Sequence, residues 1–136
     1  MRKIIIDTNI LFSALYTKNR NLRNILTIED YEFYAPSYLF VELFKHKERL
    51  MSKSNAEEEE VYEILHLFLQ HIHFVSEQSI AIENFAEAFR LCKDTDENDM
   101  LFVALALELN AQLWTRDEKL KNGLKSKGFN LFFENK

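Results

Sequence analysis

The chain has 136 residues, is 47% hydrophobic and carries a formal charge of −5. That is enough apolar material for one packed core and too much for a disordered protein. With 2 Gly and 1 Pro, turn-rich all-β architectures are excluded and helices joined by short loops are favoured. Cys92 is the single cysteine, so neither an internal disulfide nor a thiolate metal site is available.

In chain order, residues 3–6 read as a short apolar strand of the kind buried on both faces of a parallel sheet. Residues 10–16 and 21–28 read as helices, and 31–35 as a strand stopped by Pro36. Ser37 stands where an N-cap would open a helix through about Met51, and 52–55 form a turn. Residues 56–71 carry Val61, Ile64, Leu65, Phe68 and Leu69 at core spacing, with Glu57 to Glu60 on the solvated N-terminal face, where acids suit the helix dipole. A strand at 73–75 precedes a helix at 79–92, whose Ile82, Phe85, Ala86 and Phe89 predict the buried stripe. After a polar loop at 93–97, residues 98–110 are apolar nearly all round and predict a buried helix. A strand at 112–115, a helix at 118–127 ending at Gly128 and a last strand at 130–133 complete the pattern. This alternation predicts one domain over residues 1–136, a three-layer α/β/α sandwich around a mainly parallel sheet of four to five strands. Ligands in such sheets bind outside the C-terminal strand ends.

Four acidic residues lie at the ends of apolar segments or inside them. Asp7 ends Ile4-Ile5-Ile6, Glu42 lies within Val41-Glu42-Leu43-Phe44, Asp99 opens Met100-Leu101-Phe102-Val103, and Asp117 follows Leu113-Trp114-Thr115-Arg116. Singly, each has a structural explanation as a turn residue, an exposed helix charge or a cap. Together they fit one centre. Carboxylates about 5 Å apart repel by roughly 3 kcal/mol per pair, so a cluster needs protons or a hard cation with oxygen ligands such as Mg²⁺ or Mn²⁺. The net charge of −5 argues against non-specific nucleic-acid affinity; a nucleic-acid enzyme with an acidic centre and a local basic patch remains open.

The order of these motifs resembles the PIN-domain (PilT N-terminus-like) family of metal-dependent ribonucleases, which includes the VapC-type toxins of VapBC toxin–antitoxin pairs. The segment Ile4-Ile5-Ile6-Asp7-Thr8-Asn9 is similar to the family's opening strand and first acid, and Glu42 to its helical glutamate. Asp96-Glu97-Asn98-Asp99 before Ala104-Leu105-Ala106 resembles its third motif, and Thr115-Arg116-Asp117-Glu118-Lys119-Leu120 its closing one. The resemblance implies an endoribonuclease in which Asp7, Glu42, Asp99 and Asp117 are catalytic and hold one or two Mg²⁺ or Mn²⁺ ions that activate water for attack on a phosphodiester. Asp96 assists Asp99 or shares its ligation, Asp99 being preferred. Thr8, Asn9 and Thr115 would orient carboxylates or water. The alternative is a PIN-like module without catalysis, serving RNA binding or protein assembly.

Lys45, His46, Lys47 and Arg49 form the densest basic patch and are the candidate RNA contact. His66, His71 and His73 have no regular metal-ligand spacing. The resemblance implies a small antitoxin partner, while Leu11, Phe12 and Leu15, if exposed, would serve a homodimer. No apolar run approaches the roughly 18 residues of a membrane span, and no signal pattern precedes the first strand, so the expected location is the cytoplasm without membrane attachment.

Overall fold

The computed structural model describes residues 2–16, 24–25, 30–46, 48 and 58–134. Four parallel strands form the sheet: β1 (Arg2–Ile6), β2 (Tyr31–Pro36), β3 (Ile72–Val75) and β4 (Gln112–Trp114), in the order β3-β2-β1-β4. Six α-helices accompany them among the described residues: α1 (Thr8–Tyr16), α2 (Tyr38–Lys45), α3 (Glu58–Gln70), α4 (Ile82–Cys92), α5 (Met100–Leu109) and α6 (Glu118–Ser126). The chain steps outward from β1 to β3 and then returns to the other side of β1. Right-handed crossovers therefore put α1, α2 and α3 on one face of the sheet and α4 and α5 on the other. The strand order reverses at the β1–β4 seam, which opens the crevice where such sheets bind ligands.

β1 is central and its Ile4, Ile5 and Ile6 are fully buried, which is why an unbroken apolar run works there. Ile4 pairs with Phe33 on one side and Gln112 on the other. Trp114 stacks between Phe33 and Phe133, with ring centroids 6.1 and 5.1 Å away. α5 presents Phe102, Val103, Ala104, Leu105 and Ala106 to the core, as its all-round apolar sequence predicts. It ends at Asn110 in the left-handed region (φ 50°), which Asn tolerates better than most residues.

Several expectations are corrected. Residues 130–133 make a single bridge, Phe132 to Leu113, because their backbone reaches only Leu113 while Phe132 and Phe133 turn their rings into the core. Ser37 does not cap α2. Its backbone is already helical (φ −56°, ψ −24°) and its hydroxyl donates to the Val75 carbonyl. The cap is Glu77, whose carboxylate accepts the Tyr38 N–H at 2.8 Å. The segments 79–92 and 98–110 each start with a separate 3-10 turn, Glu77–Ser79 and Glu97–Asp99. Leu11 and Phe12 are core residues, so they offer no dimer surface.

Of the stripe predicted for α4, Phe85 packs partly against the core, while Ile82, Ala86 and Phe89 face outward. Ile82 is 77% and Phe89 57% exposed, whereas Ala88, Leu91 and Cys92 are buried. Small side chains at 88 and 92 let α5 pack closely, so contact with the bulky α5 selects a different side of the helix from the one its large residues suggest. Within 21–28, residues 24 and 25 are helical and the rest lie outside the described residues, as do 52–57, Lys47, Arg49 and the side chains of Leu15, Val61 and Ile64.

Candidate functional site

β1 and β4 end side by side. Ile6 pairs with Trp114, and the Asp7 N–H donates to the Trp114 carbonyl, so Asp7 and Thr115 are neighbours beyond the strand ends. Asp7 is 6% exposed. One of its oxygens accepts the Ile10 N–H at 2.9 Å and so caps α1. Thr115 also hydrogen-bonds to it, while the Thr115 oxygen accepts the Asp117 N–H at 3.2 Å. A hydroxyl donates and accepts at once, so this one side chain ties both acids to the same turn.

The next residue, Thr8, donates to Glu42 Oε1 at 2.8 Å. Glu42 lies in α2 and turns inward while its neighbours Val41 and Phe44 face solvent. Asp99 ends the 3-10 turn before α5 and is partly buried. Together with Asn9 and Phe102, the residues Asp7, Thr8, Glu42 and Asp99 line a cavity of about 30 Å³. That is room for roughly two waters, or for one cation with part of its hydration.

Asp117 and Asp96 stand outside this cavity wall. Asp117 Oδ1 accepts the Leu120 N–H at 3.1 Å and caps α6. Asp96 Oδ1 accepts the Asn98 N–H at 2.9 Å and is exposed. Their charges still reach inward. Burial pushes the Asp7 carboxyl from 3.8 up to about 6, opposed by the Thr115 and Ile10 hydrogen bonds and reinforced by Asp117 and Glu42. Burial pushes Asp99 up to about 7, reinforced by Asp96, Asp7, Asp117 and Glu42. Capping and cavity-lining are compatible for Asp7, because a carboxylate has two oxygens and the cap uses one.

This donor set suits a hard divalent cation: carboxylates and hydroxyls around a small polar cavity, with two carboxyls pushed up by burial first and by the neighbouring acids second. Among the described residues, no three of these acids are drawn to ligating distance of one point.

Lys45 is exposed at the end of α2, and His46 turns its ring edge-on to Phe12 at 6.1 Å, partly inside the fold. A second run of lysines, Lys119, Lys121, Lys125 and Lys127, along α6 and at its end, is partly internal. Lys121 is buried and lies 3.7 Å from Glu134, and Lys127 reaches Asp94 at 2.8 Å. His66, His71 and His73 are all exposed. Two contributors escape sequence reading. Phe102 walls the cavity one helical turn after Asp99, and that i, i+3 spacing is its only mark in the sequence. Glu77 caps the helix that carries Glu42 from 39 residues away, and nothing local marks it.

A family model described as a PIN domain matches residues 5–131. The chain belongs to the PIN domain family. No curated protein matches it closely enough to count as a relative. Among solved structures, this PIN domain is similar to the VapBC2 complex of Rickettsia felis bound to a DNA fragment from its promoter. The TM-score is 0.68 and the identity 21%, over 88% of this chain and 92% of that one. It is also similar to VapBC-1 of nontypeable Haemophilus influenzae, with a TM-score of 0.65 and 17% identity over 91% and 93% of the two chains. At such identities the likeness establishes the α/β fold. Among the described residues of this PIN domain, no helix is long and apolar enough to cross a membrane.

Proposed function

We propose that this PIN domain is a metal-dependent endoribonuclease that uses Mg²⁺ or Mn²⁺. One observation carries the reading: Asp7, Glu42 and Asp99 share a single small cavity at the β1–β4 seam, and two of their carboxyls are driven up to about 6 and 7 there. A purely structural site would gain by losing such charges, since isolated buried carboxylates cost stability. A divalent cation, if held there, would supply the opposing positive charge and would lower the pKa of water near neutral pH.

The chain's own residues then have distinct roles. Asp7, Glu42 and Asp99 are the residues that would hold the cation, from three elements: β1's end, α2 and the start of α5. Asp117 stands at the rim with its free oxygen available to a second ion or to a water, and Asp96 adds negative potential behind Asp99. Thr8 fixes the rotamer of Glu42, and Thr115 fixes Asp7 relative to Asp117. Asn9, exposed at the cavity mouth, presents an amide to an approaching phosphate or water. Lys45, with Lys47 and Arg49 beyond it in sequence, attracts the RNA backbone, and His46 steadies the end of α2 against Phe12.

Support for a toxin role comes from the likeness to VapBC complexes. In that role the chain acts in the cytoplasm and pairs with a small antitoxin that covers the acidic cavity. The deciding experiment is cleavage of labelled single-stranded RNA with Mg²⁺ or Mn²⁺, with EDTA and Asp99→Asn as controls. Metal-dependent cleavage lost in Asp99→Asn supports the reading. Metal binding without cleavage of any RNA offered turns it toward the non-catalytic module. Absence of both refutes it.

A further inference from the structure

We infer that a second pocket beside the acidic cavity takes a nucleobase of the RNA, and that Glu77 makes guanine the preferred one. Ser37, Tyr38, Val41, Glu77 and Leu101 line this pocket, whose volume is about 430 Å³, within the ordinary range of small-ligand sites. Val41 and Leu101 line it, while the residues that follow them, Glu42 and Phe102, line the acidic cavity. The two sites are therefore neighbours. Ser37 follows β2 and Glu77 lies just beyond β3, so the pocket occupies the same C-terminal edge of the sheet, displaced toward β3. A displacement of one or two strand spacings, each about 4.8 Å, matches the reach from a phosphate to a base of the same or the next nucleotide.

The walls suit an unstacked base. Tyr38 is half-buried and packs against the core, which holds its ring in place. Val41 is 54% exposed and Leu101 half-buried, so two aliphatic side chains complete an apolar slot. Proteins hold single-stranded RNA bases by stacking them on aromatic rings and reading their Watson–Crick edges by hydrogen bonds.

Glu77 supplies the reading group. Its Oε1 accepts the Tyr38 N–H at 2.8 Å, which fixes the carboxylate against the pocket. A carboxylate has about four acceptor sites, so Oε2 and part of Oε1 remain for a ligand. Among the described residues no cation pairs with Glu77. Guanine alone among the four RNA bases carries two adjacent donors on one edge, N1–H and the N2 amino group, and these match the two oxygens of a carboxylate. Adenine and cytosine set a ring nitrogen acceptor beside their amino group, and uracil flanks its N–H with two carbonyls. Each would turn an acceptor toward the carboxylate, which penalises it. The inference rests on the nuclease reading for the ligand being RNA; the choice of base rests on this pocket alone.

The test uses two fluorescent single strands of about 12 nucleotides, identical except that one carries a single central guanine and the other inosine, which keeps N1–H and lacks the N2 amino group. Binding is read by fluorescence anisotropy in Ca²⁺, and cleavage is mapped separately in Mn²⁺. The guanine strand is expected to bind about fivefold or more tightly than the inosine strand, and cutting is expected beside the guanine. Glu77→Gln keeps an oxygen for the Tyr38 N–H, so its melting temperature should match the parent's while the preference for guanine disappears. Tyr38→Leu should weaken both strands at least about fivefold, and Tyr38→Phe should leave both unchanged. Guanine-selective binding without cleavage sustains the pocket and sinks the nuclease reading. Cleavage without any preference between the strands does the reverse: the nuclease stands, and the pocket is left to an apolar side chain of a protein partner. A preference that survives Glu77→Gln, or no binding of either strand, overturns the inference.

Discussion

The Thr8 hydroxyl donates a 2.8 Å hydrogen bond to Glu42 across 34 residues of sequence, joining the first turn after β1 to the middle of α2. It holds one carboxylate oxygen of Glu42 and leaves the other for the cavity. Thr8→Val keeps the shape and removes the donor. Metal affinity is expected to fall by about 10-fold or more, the usual cost of losing a ligand's supporting hydrogen bond, with a stability change of about 1 kcal/mol. Titration calorimetry with Mn²⁺ measures it; equal affinities for the two proteins would remove Thr8 from the site.

Asp7 and Asp99 make the metal-free protein sensitive to pH in a direction opposite to most carboxylates. Their folded pKa values, about 6 and about 7, lie above the ordinary 3.8. The folded state therefore holds these protons more tightly than the unfolded state. The stabilisation is fully present below pH 3.8 and is lost as pH rises through about 6 and then about 7. For buried Asp7 the loss amounts to about 3 kcal/mol. In EDTA, the parent's melting temperature should decline from pH 5 to pH 8 relative to that of Asp7→Asn, which cannot ionise. Parallel curves for the two proteins would show that Asp7 is not strained.

A divalent cation should reverse that decline, because it takes the place that protons hold at low pH. At pH 7.5, Mn²⁺ is expected to raise the melting temperature of the parent clearly; at pH 5.5 the rise shrinks as Asp7 and Asp99 protonate. RNA cleavage should climb over the same interval. Asp99→Asn should flatten both responses. A thermal shift of equal size at the two pH values would point to metal bound at some other place.

Gly123 sits inside α6, where a Cβ would meet Thr95 Cγ2 at 2.8 Å. Thr95 is held by a 3.0 Å hydrogen bond from its hydroxyl to the Cys92 carbonyl, so its methyl cannot simply rotate away. Gly123→Ala adds helix propensity worth about 1 kcal/mol against an overpacking cost of about 1–3 kcal/mol. Net destabilisation of about 1 kcal/mol is expected in urea unfolding. Combining it with Thr95→Ser, which deletes the offending methyl, should recover the loss. Because Thr95 begins the approach to Asp96 and Asp99, the single variant should also weaken metal binding, and the combined variant should restore it.

Sequence alone carried the fold far. Ile4-Ile5-Ile6 announced a central strand because only a strand buried on both faces tolerates such a run, and 98–110 announced a buried helix because it lacks a polar side. The acids at segment ends were equally legible, since an apolar element fixes where its terminus lies. Asp117 was legible also as a cap and uses one oxygen in that way; Asp7, legible locally only as a turn residue, turns out to cap α1 with one oxygen.

What tertiary structure decided is which of several equivalent local patterns is used. α4 has two apolar sides, and only the shape of α5 selects Ala88, Leu91 and Cys92 over Ile82 and Phe89. Asp96 and Asp99 share a helix face by spacing, yet the 3-10 turn sends Asp99 into the cavity wall and leaves Asp96 bonded to the Asn98 N–H. The Glu77 cap on α2 and the Thr8 bond to Glu42 join residues 39 and 34 positions apart. Periodicity reports the environment of a residue within a few turns of its own helix or strand. Partners at that separation are chosen by chain crossovers and by the packing of whole elements, which no local window contains.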